Sequence, residues 1–206
     1  MSVVNQFKTQ QGLYDFTNEH DACGVGMIVN LHGTKSHDLI DSALKVLENM
    51  KHRGAEGADN KTGDGAGIMV QIPHEFILLQ GIPVPEKGKY GTGLVFMPKN
   101  KDMQRSFISI MMEEIEKEGM TLMHVRSVPV NSKVLGNNAL VTEPDIKQIF
   151  VTTGGADEPS LEKKLYIIRK KIENRIKNEE FYIVSLSSRN IVYKGMKTNP
   201  VPYFPF

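Results

Sequence analysis

Apolar positions recur along this chain at two spacings, and the spacing sorts the chain into helices and strands. Leu39, Ile40, Ala43, Leu44, Leu47 and Met50 fall at helical intervals and predict a helix from Ser36. Ser36 is placed to cap its first turn, Asp38 sits near the positive end of its dipole, and Gly54 is the expected stop. Residues 102–118 repeat the pattern with Phe107, Ile108, Met111, Met112 and Ile115, and HEFILLQ at 74–80 reads as a short helix. The clearest stripe is Leu161, Leu165, Ile168, Ile172 and Ile176, which predicts a helix over 160–178 with a basic, solvated opposite face. Short apolar or alternating runs predict strands at 24–31 (GVGMIVNL, buried, with glycines at its entry), 67–73, 90–98, 122–130 and 148–153. FYIVSLSSRNIVYKG, 181–195, reads as a hairpin turning at 187–190. Residues 54–67, with five glycines, and 136–145 read as loops, 154–159 as a linker, and 1–22 as a polar leader or irregular arm. With no internal repeat and no linker between domains, this order predicts a layered α+β fold with antiparallel sheets rather than a doubly wound parallel sheet.

Composition narrows the function classes. Of 206 residues, 40% are apolar and 24% charged, an ordinary globular balance, and with no Trp the core must rest on Ile, Leu, Val, Met and Phe. A net charge of +1 gives no field that would draw nucleic acid or a membrane surface. One cysteine excludes an internal disulfide and an iron–sulfur cluster ligated by this chain alone. Residues 1–16 carry no basic region followed by an apolar one, and no apolar run is long enough to span a bilayer, so the expected setting is cytoplasmic.

The glycine loop fails as a nucleotide site. Lys61-Thr62 resembles the end of a phosphate-binding loop, but Asn60 and Ala55 stand where its glycines belong. Gly65-x-Gly67 and Gly24-x-Gly26 lack the third glycine of a dinucleotide fingerprint, which is replaced by Val70 and Val29. The histidines show no metal spacing: Leu78 occupies the second ligand position after His74-Glu75, and no metal is expected. Cys23 is either a small buried hydrophobe or a nucleophile. A cut between Ala22 and Cys23 would place an α-amine on the nucleophile's own residue. That amine titrates at about 7.7–8.0, close to a thiol at about 8.5, so it could accept the thiol proton and later protonate a leaving amine.

The stretch from Cys23-Gly-Val-Gly through His52-Arg53-Gly54 to Thr62-Gly-Asp-Gly-Ala-Gly67 resembles the start of the glutaminase domain of glutamate synthase large subunits. SSRNIVYKGM, 187–196, resembles the same family, so the similarity covers about residues 20–196. The resemblance implies a type 2, N-terminal-nucleophile glutamine amidotransferase with a four-layer αββα sandwich of antiparallel sheets. It implies Cys23 as the catalytic nucleophile, residues 1–22 as a removable leader, and 23–196 as the N-terminal part of the domain. Arg53 is then a candidate substrate-binding residue, with a structural arginine tying down the glycine loop as the alternative; Lys61 and Asp64 read as turn chemistry. The implied partners are glutamine and the remainder of a glutamate synthase. That complete enzyme makes glutamate from glutamine and 2-oxoglutarate with FMN and an iron–sulfur cluster, all on parts absent here, so no cofactor is expected in this chain.

The chain also departs from that family. The family's Arg-Phe-Ser-Thr-Asn-Thr segment, which holds the glutamine carboxylate, and its His-Asn-Gly-Glu-Ile-Asn segment, which lines the oxyanion hole, do not occur in these 206 residues. After Met196 the sequence runs KTNPVPYFPF, an atypical tail at 197–206 that points to a truncated or shifted reading frame. Loss of one oxyanion-hole donor typically lowers a rate by about 10²–10³. The expectation is an incomplete sandwich, marginally folded and inactive on its own; the alternative function is a non-catalytic fragment acting as an interaction piece.

Overall fold

The computed structural model describes residues 24–50, 65–153 and 158–196. In chain order the elements are α1 (His37–Asn49), β1 (Gly65–Gln71), α2 (His74–Leu79), β2 (Tyr90–Met97), α3 (Lys101–Lys117), β3 (Thr121–Ser127), α4 (Asn137–Thr142), β4 (Asp145–Thr152), α5 (Glu158–Arg175), β5 (Tyr182–Ile183) and β6 (Asn190–Met196). A single 3-10 turn, Ser132–Val134, precedes α4. The four-stranded sheet has the order β3-β4-β2-β5, a second sheet pairs β1 with β6, and every pairing is antiparallel.

β2 is the central strand, and its alternation divides the interior. Val95 and Met97 face the helices, joining Met111 and Ile115 of α3, Ile149 and Val151 of β4, and Leu161, Leu165, Ile168 and Ile172 of α5, all fully buried. The stripe predicted for 160–178 is therefore the inner face of α5, while Arg169, Lys170, Lys171 and Arg175 on its other side pair with carboxylates. Leu94 and Val184 face the other way, onto Ile68 of β1 and Ile191 and Tyr193 of β6, with Ile40, Ala43 and Leu44 of α1 packed against that cluster. In cross-section the order is α1, two-stranded sheet, four-stranded sheet, then α3 with α5: the expected four layers. Ser36 caps α1 as predicted, accepting a hydrogen bond from the Asp38 backbone at 3.1 Å.

Three expectations are corrected. Residues 24–31 form no strand; they run without ladder partners among the described residues. The predicted loop at 136–145 contains α4. Residues 181–195 are not a hairpin, because β5 pairs with β2 and β6 with β1, so the turn carries the chain from one sheet to the other. Gly93 is the reason the crossing fits. Between Val184 N–H donating to Leu94 O and Ser187 N–H donating to Thr92 O, the chain bulges over Gly93, and a Cβ there would overlap the Ser185 carbonyl. Glu162 of α5 then fixes the turn, accepting from the Ser188 backbone N–H at 2.7 Å and its hydroxyl at 2.6 Å. Burial pushes the Glu162 carboxyl up, but those donors outweigh it and hold it below its ordinary value.

Candidate functional site

Cys23 and Arg53, the two residues that the sequence singles out, lie outside the described residues, as does most of the glycine loop. Their nearest described neighbours are informative. Gly24 and Gly26 lie against the last turns of α1: a Cβ on Gly24 would meet Met50 Sδ at 2.5 Å, and one on Gly26 would meet Val46 Cγ1 at 2.6 Å. At Gly26 the β-branched Val46 leaves a side chain little room, whereas at Gly24 the flexible end of Met50 would have to swing aside. The same approach brings the residue after Cys23 against Met50, which lies three residues before Arg53.

Between the two sheets lies a cleft of about 1610 Å³. Its walls come from the start of β1 and the end of β6, from Leu94 and Phe96 of β2, from Arg126 of β3, Ile146 of β4 and Tyr182 of β5, and from the 128–144 segment. Most of that lining is apolar, and one polar chain reaches it from the core. Thr92, fully buried, donates to the Ile149 carbonyl at 2.8 Å; Gln148, 1% exposed, donates to Thr92 Oγ1 at 3.0 Å; Arg126 Nε donates to Gln148 Oε1 at 2.8 Å. Tyr193 shares the cleft; burial raises its hydroxyl above the usual value, with Arg126 pulling the other way.

The rim is charged and closed on itself. Asp145, at the start of β4, accepts from Lys101 at 2.6 Å and Gln104 at 2.9 Å, and pairs with Lys147 at 3.0 Å. Burial alone would raise its carboxyl, yet the three donors hold it at about 2. Lys99 pairs with Glu143, which also accepts from Ser132. Among the described residues no group of three or more His, Cys, Asp or Glu side chains could hold a metal ion, and no helix is long and apolar enough to cross a membrane.

Sequence reasoning missed Arg126, Gln148 and Thr92. The signal was faint but present: Arg126 is the lone charge in LMHVRSVPV, and Gln148 opens the apolar run QIFVTT. Neither shows that the two side chains meet across β3 and β4, where Arg126 registers opposite Gln148.

Comparison with known proteins gives the chain its lineage. Residues 23–204 match the family of class-II glutamine amidotransferases. The chain is 42% identical over 202 residues to the large chain of the NADPH glutamate synthase of Bacillus subtilis, covering 95% of this chain and 13% of that relative. It is 43% identical over 183 residues to ferredoxin-dependent glutamate synthase 2 of Synechocystis, covering 86% of this chain and 12% of the relative. It is 39% identical over 213 residues to the NADH glutamate synthase of Saccharomyces cerevisiae, covering 96% and 10%. The chain thus spans about an eighth of the length of the first two relatives. With a match across most of its length, and with antiparallel sheets layered between helices as that match requires, the chain belongs to the class-II glutamine amidotransferases.

Proposed function

We propose that this chain supplies the glutamine-hydrolysing part of a glutamate synthase, with Cys23 as its nucleophile. One observation carries the reading: the family match begins at residue 23, the only cysteine of the chain. In this reading residues 1–22 are removed and the freed α-amine takes the Cys23 thiol proton. The thiolate attacks the side-chain amide carbon of glutamine; the C–N bond breaks, the amine's proton goes to the departing nitrogen, and ammonia leaves. Water then opens the γ-glutamyl thioester, releasing glutamate and restoring the thiol. Arg53 is proposed to bind glutamine. Chain connectivity supports a shared site, since each Cα lies about 3.8 Å from the next, Gly24 packs against Met50, and Arg53 follows Met50 by three residues.

The larger protein would pass the ammonia to 2-oxoglutarate on parts outside this chain. FMN and the iron–sulfur cluster belong there as well, and a chain with one cysteine does not fit an iron–sulfur cluster of its own. A second reading, a fragment without turnover of its own, is supported by the open inter-sheet cleft and by the exposed side chains of Val25, Met27, Val29 and Leu31.

Intact mass and covalent labelling separate the two. In a chain extended through the segments that hold the glutamine carboxylate and the oxyanion, removal of residues 1–22 and labelling of Cys23 by a glutamine-mimicking electrophile are expected. Retention of the leader with no label at Cys23 refutes the nucleophile assignment. Labelling of the extended chain but not of the 206-residue chain supports the fragment reading for the latter.

A further inference from the structure

Arg126 differs from the other arginines whose partners are seen. Arg105, Arg169 and Arg175 each pair with a carboxylate, whereas Arg126 is held only through Nε, by the neutral amide oxygen of Gln148. Its two terminal nitrogens have no hydrogen-bond or ion-pair partner among the described residues. The acidic residues that share its cleft do not serve it: Glu143 is held by Lys99 and Ser132, and Glu179 and Glu180 make no ion pair with it. A half-buried guanidinium in an apolar wall keeps its full charge and has lost part of its water, so an anion in the cleft has an unusually weak competitor.

The support behind it is rigid. Gln148 and Thr92 are buried, and their bonds run back to the Ile149 carbonyl in the middle of the sheet. With Nε fixed, little side-chain freedom is left to lose when a ligand arrives. A guanidinium anchored by Nε offers one edge, a planar fork of parallel N–H donors, and that fork matches the two oxygens of a carboxylate. We propose that Arg126, positioned by Gln148 and Thr92, anchors a binding site for a small carboxylate in the inter-sheet cleft. At about 1610 Å³ the cleft is larger than one small molecule fills, so the ligand occupies the Arg126 wall, its carboxylate on the fork and its carbon chain along Leu94, Phe96 and Ile146. Selection comes from the charge rather than from shape, and the affinity is modest. The proposal does not rest on Cys23 being an active nucleophile.

The test titrates the whole 206-residue chain with sodium succinate, following by nuclear magnetic resonance the backbone amides of Phe96 and Ile146 in every variant and the Arg126 Nε–Hε resonance where the arginine is present. Sodium chloride at matched ionic strength and inorganic phosphate serve as parallel probes. A saturable shift with succinate is expected, with a dissociation constant on the order of 1 mM. Arg126→Gln should weaken binding by about tenfold or more, because a charge-assisted bidentate pair is lost. Gln148→Glu keeps the arginine but gives it an internal carboxylate, and should weaken succinate binding to a similar degree. Thermal unfolding of each variant reports that it is folded. A shift that never saturates, an equal response to chloride, tighter binding of phosphate, or undiminished succinate binding in either variant overturns the proposal.

Discussion

Replacing Gly93 with alanine should be among the most damaging single methyl additions in this protein. A Cβ there would overlap the Ser185 carbonyl oxygen, lie 2.5 Å from its carbon and 2.9 Å from Leu186 Cα. All three atoms are backbone, so no side chain can swing away. To reach ordinary contact the Val184–Ser187 segment must retreat by roughly 1.5–2 Å, more than packed backbone yields without repacking. That movement strains three hydrogen bonds to β2: Val184 N–H to Leu94 O at 2.9 Å, Ser187 N–H to Thr92 O at 3.1 Å, and Thr92 N–H to Ser187 O at 2.9 Å. At about 1 kcal/mol per hydrogen bond, plus about 1–3 kcal/mol for overpacking, the expected loss is about 4–6 kcal/mol.

Two other glycines calibrate that figure. At Gly91 the new methyl would meet Leu165 Cδ2 at 2.6 Å and Cγ at 3.1 Å, a fully buried side chain that must change rotamer, for a loss of about 1–3 kcal/mol. At Gly195 nothing lies within 4 Å, and a strand alanine should be neutral or stabilising by about 0.5 kcal/mol. Urea unfolding followed by far-ultraviolet circular dichroism gives the order directly. Gly93→Ala within about 0.5 kcal/mol of the parent, or Gly195→Ala as damaging as Gly93→Ala, would refute the backbone-overlap argument.

Two further predictions follow from the rim and the N-terminal segment. Asp145 has a folded-state pKa of about 2, below the ordinary 3.8, so its network stabilises the fold above pH ~4 and loses that contribution as the pH falls toward ~2. Allowing for solvent screening the loss is about 1–2 kcal/mol, and Asp145→Asn should flatten that part of an unfolding-versus-pH curve; an unchanged slope would count against the network. Gly26→Val should lift residues 24–31 from α1 and speed limited proteolysis there, with Val46→Ala restoring protection by making room; equal cleavage in all three proteins would mean that the contact is idle.

The legible parts of the fold are those set by one element's own periodicity. The α5 stripe from Leu161 to Ile172 is buried throughout, and Met111 and Ile115 of α3 meet it. What could not be read depends on partners distant in sequence. Nothing in FYIVSLSSRNIVYKG says that its two halves belong to different sheets. That follows from Gly93, about ninety residues earlier, letting Ser185 cross over it, and from β1 taking β6 as its partner. α4 hid in a run of Gly-Asn-Asn and β-branched residues before Pro144, composition that favours a loop. The site divides in the same way. Cys23 and Arg53 were proposed from a local motif, and both fall outside the described residues. The Arg126–Gln148–Thr92 relay was illegible because it is made by register between β3, β4 and β2.

The segment after Cys23 shows where periodicity stops being sufficient. GVGMIVNL was expected to be a buried strand, and a two-residue alternation is what it displays. Gly24 and Gly26 lie against α1, while Val25, Met27, Val29 and Leu31 on the opposite side are 92%, 88%, 67% and 92% exposed. The local preference is satisfied and the pairing is not. Fully burying a side chain of this size is worth about 1.5–3 kcal/mol, so this one face leaves several kcal/mol of hydrophobic stabilisation unrealised. That is comparable with the whole margin of a small domain, about 5–15 kcal/mol. A strand is a contract between two segments, and sequence periodicity describes only one of them. The glycines complete the argument: they match the segment to α1, which needs no ladder, and so fix which face turns outward where no strand among the described residues is paired to it.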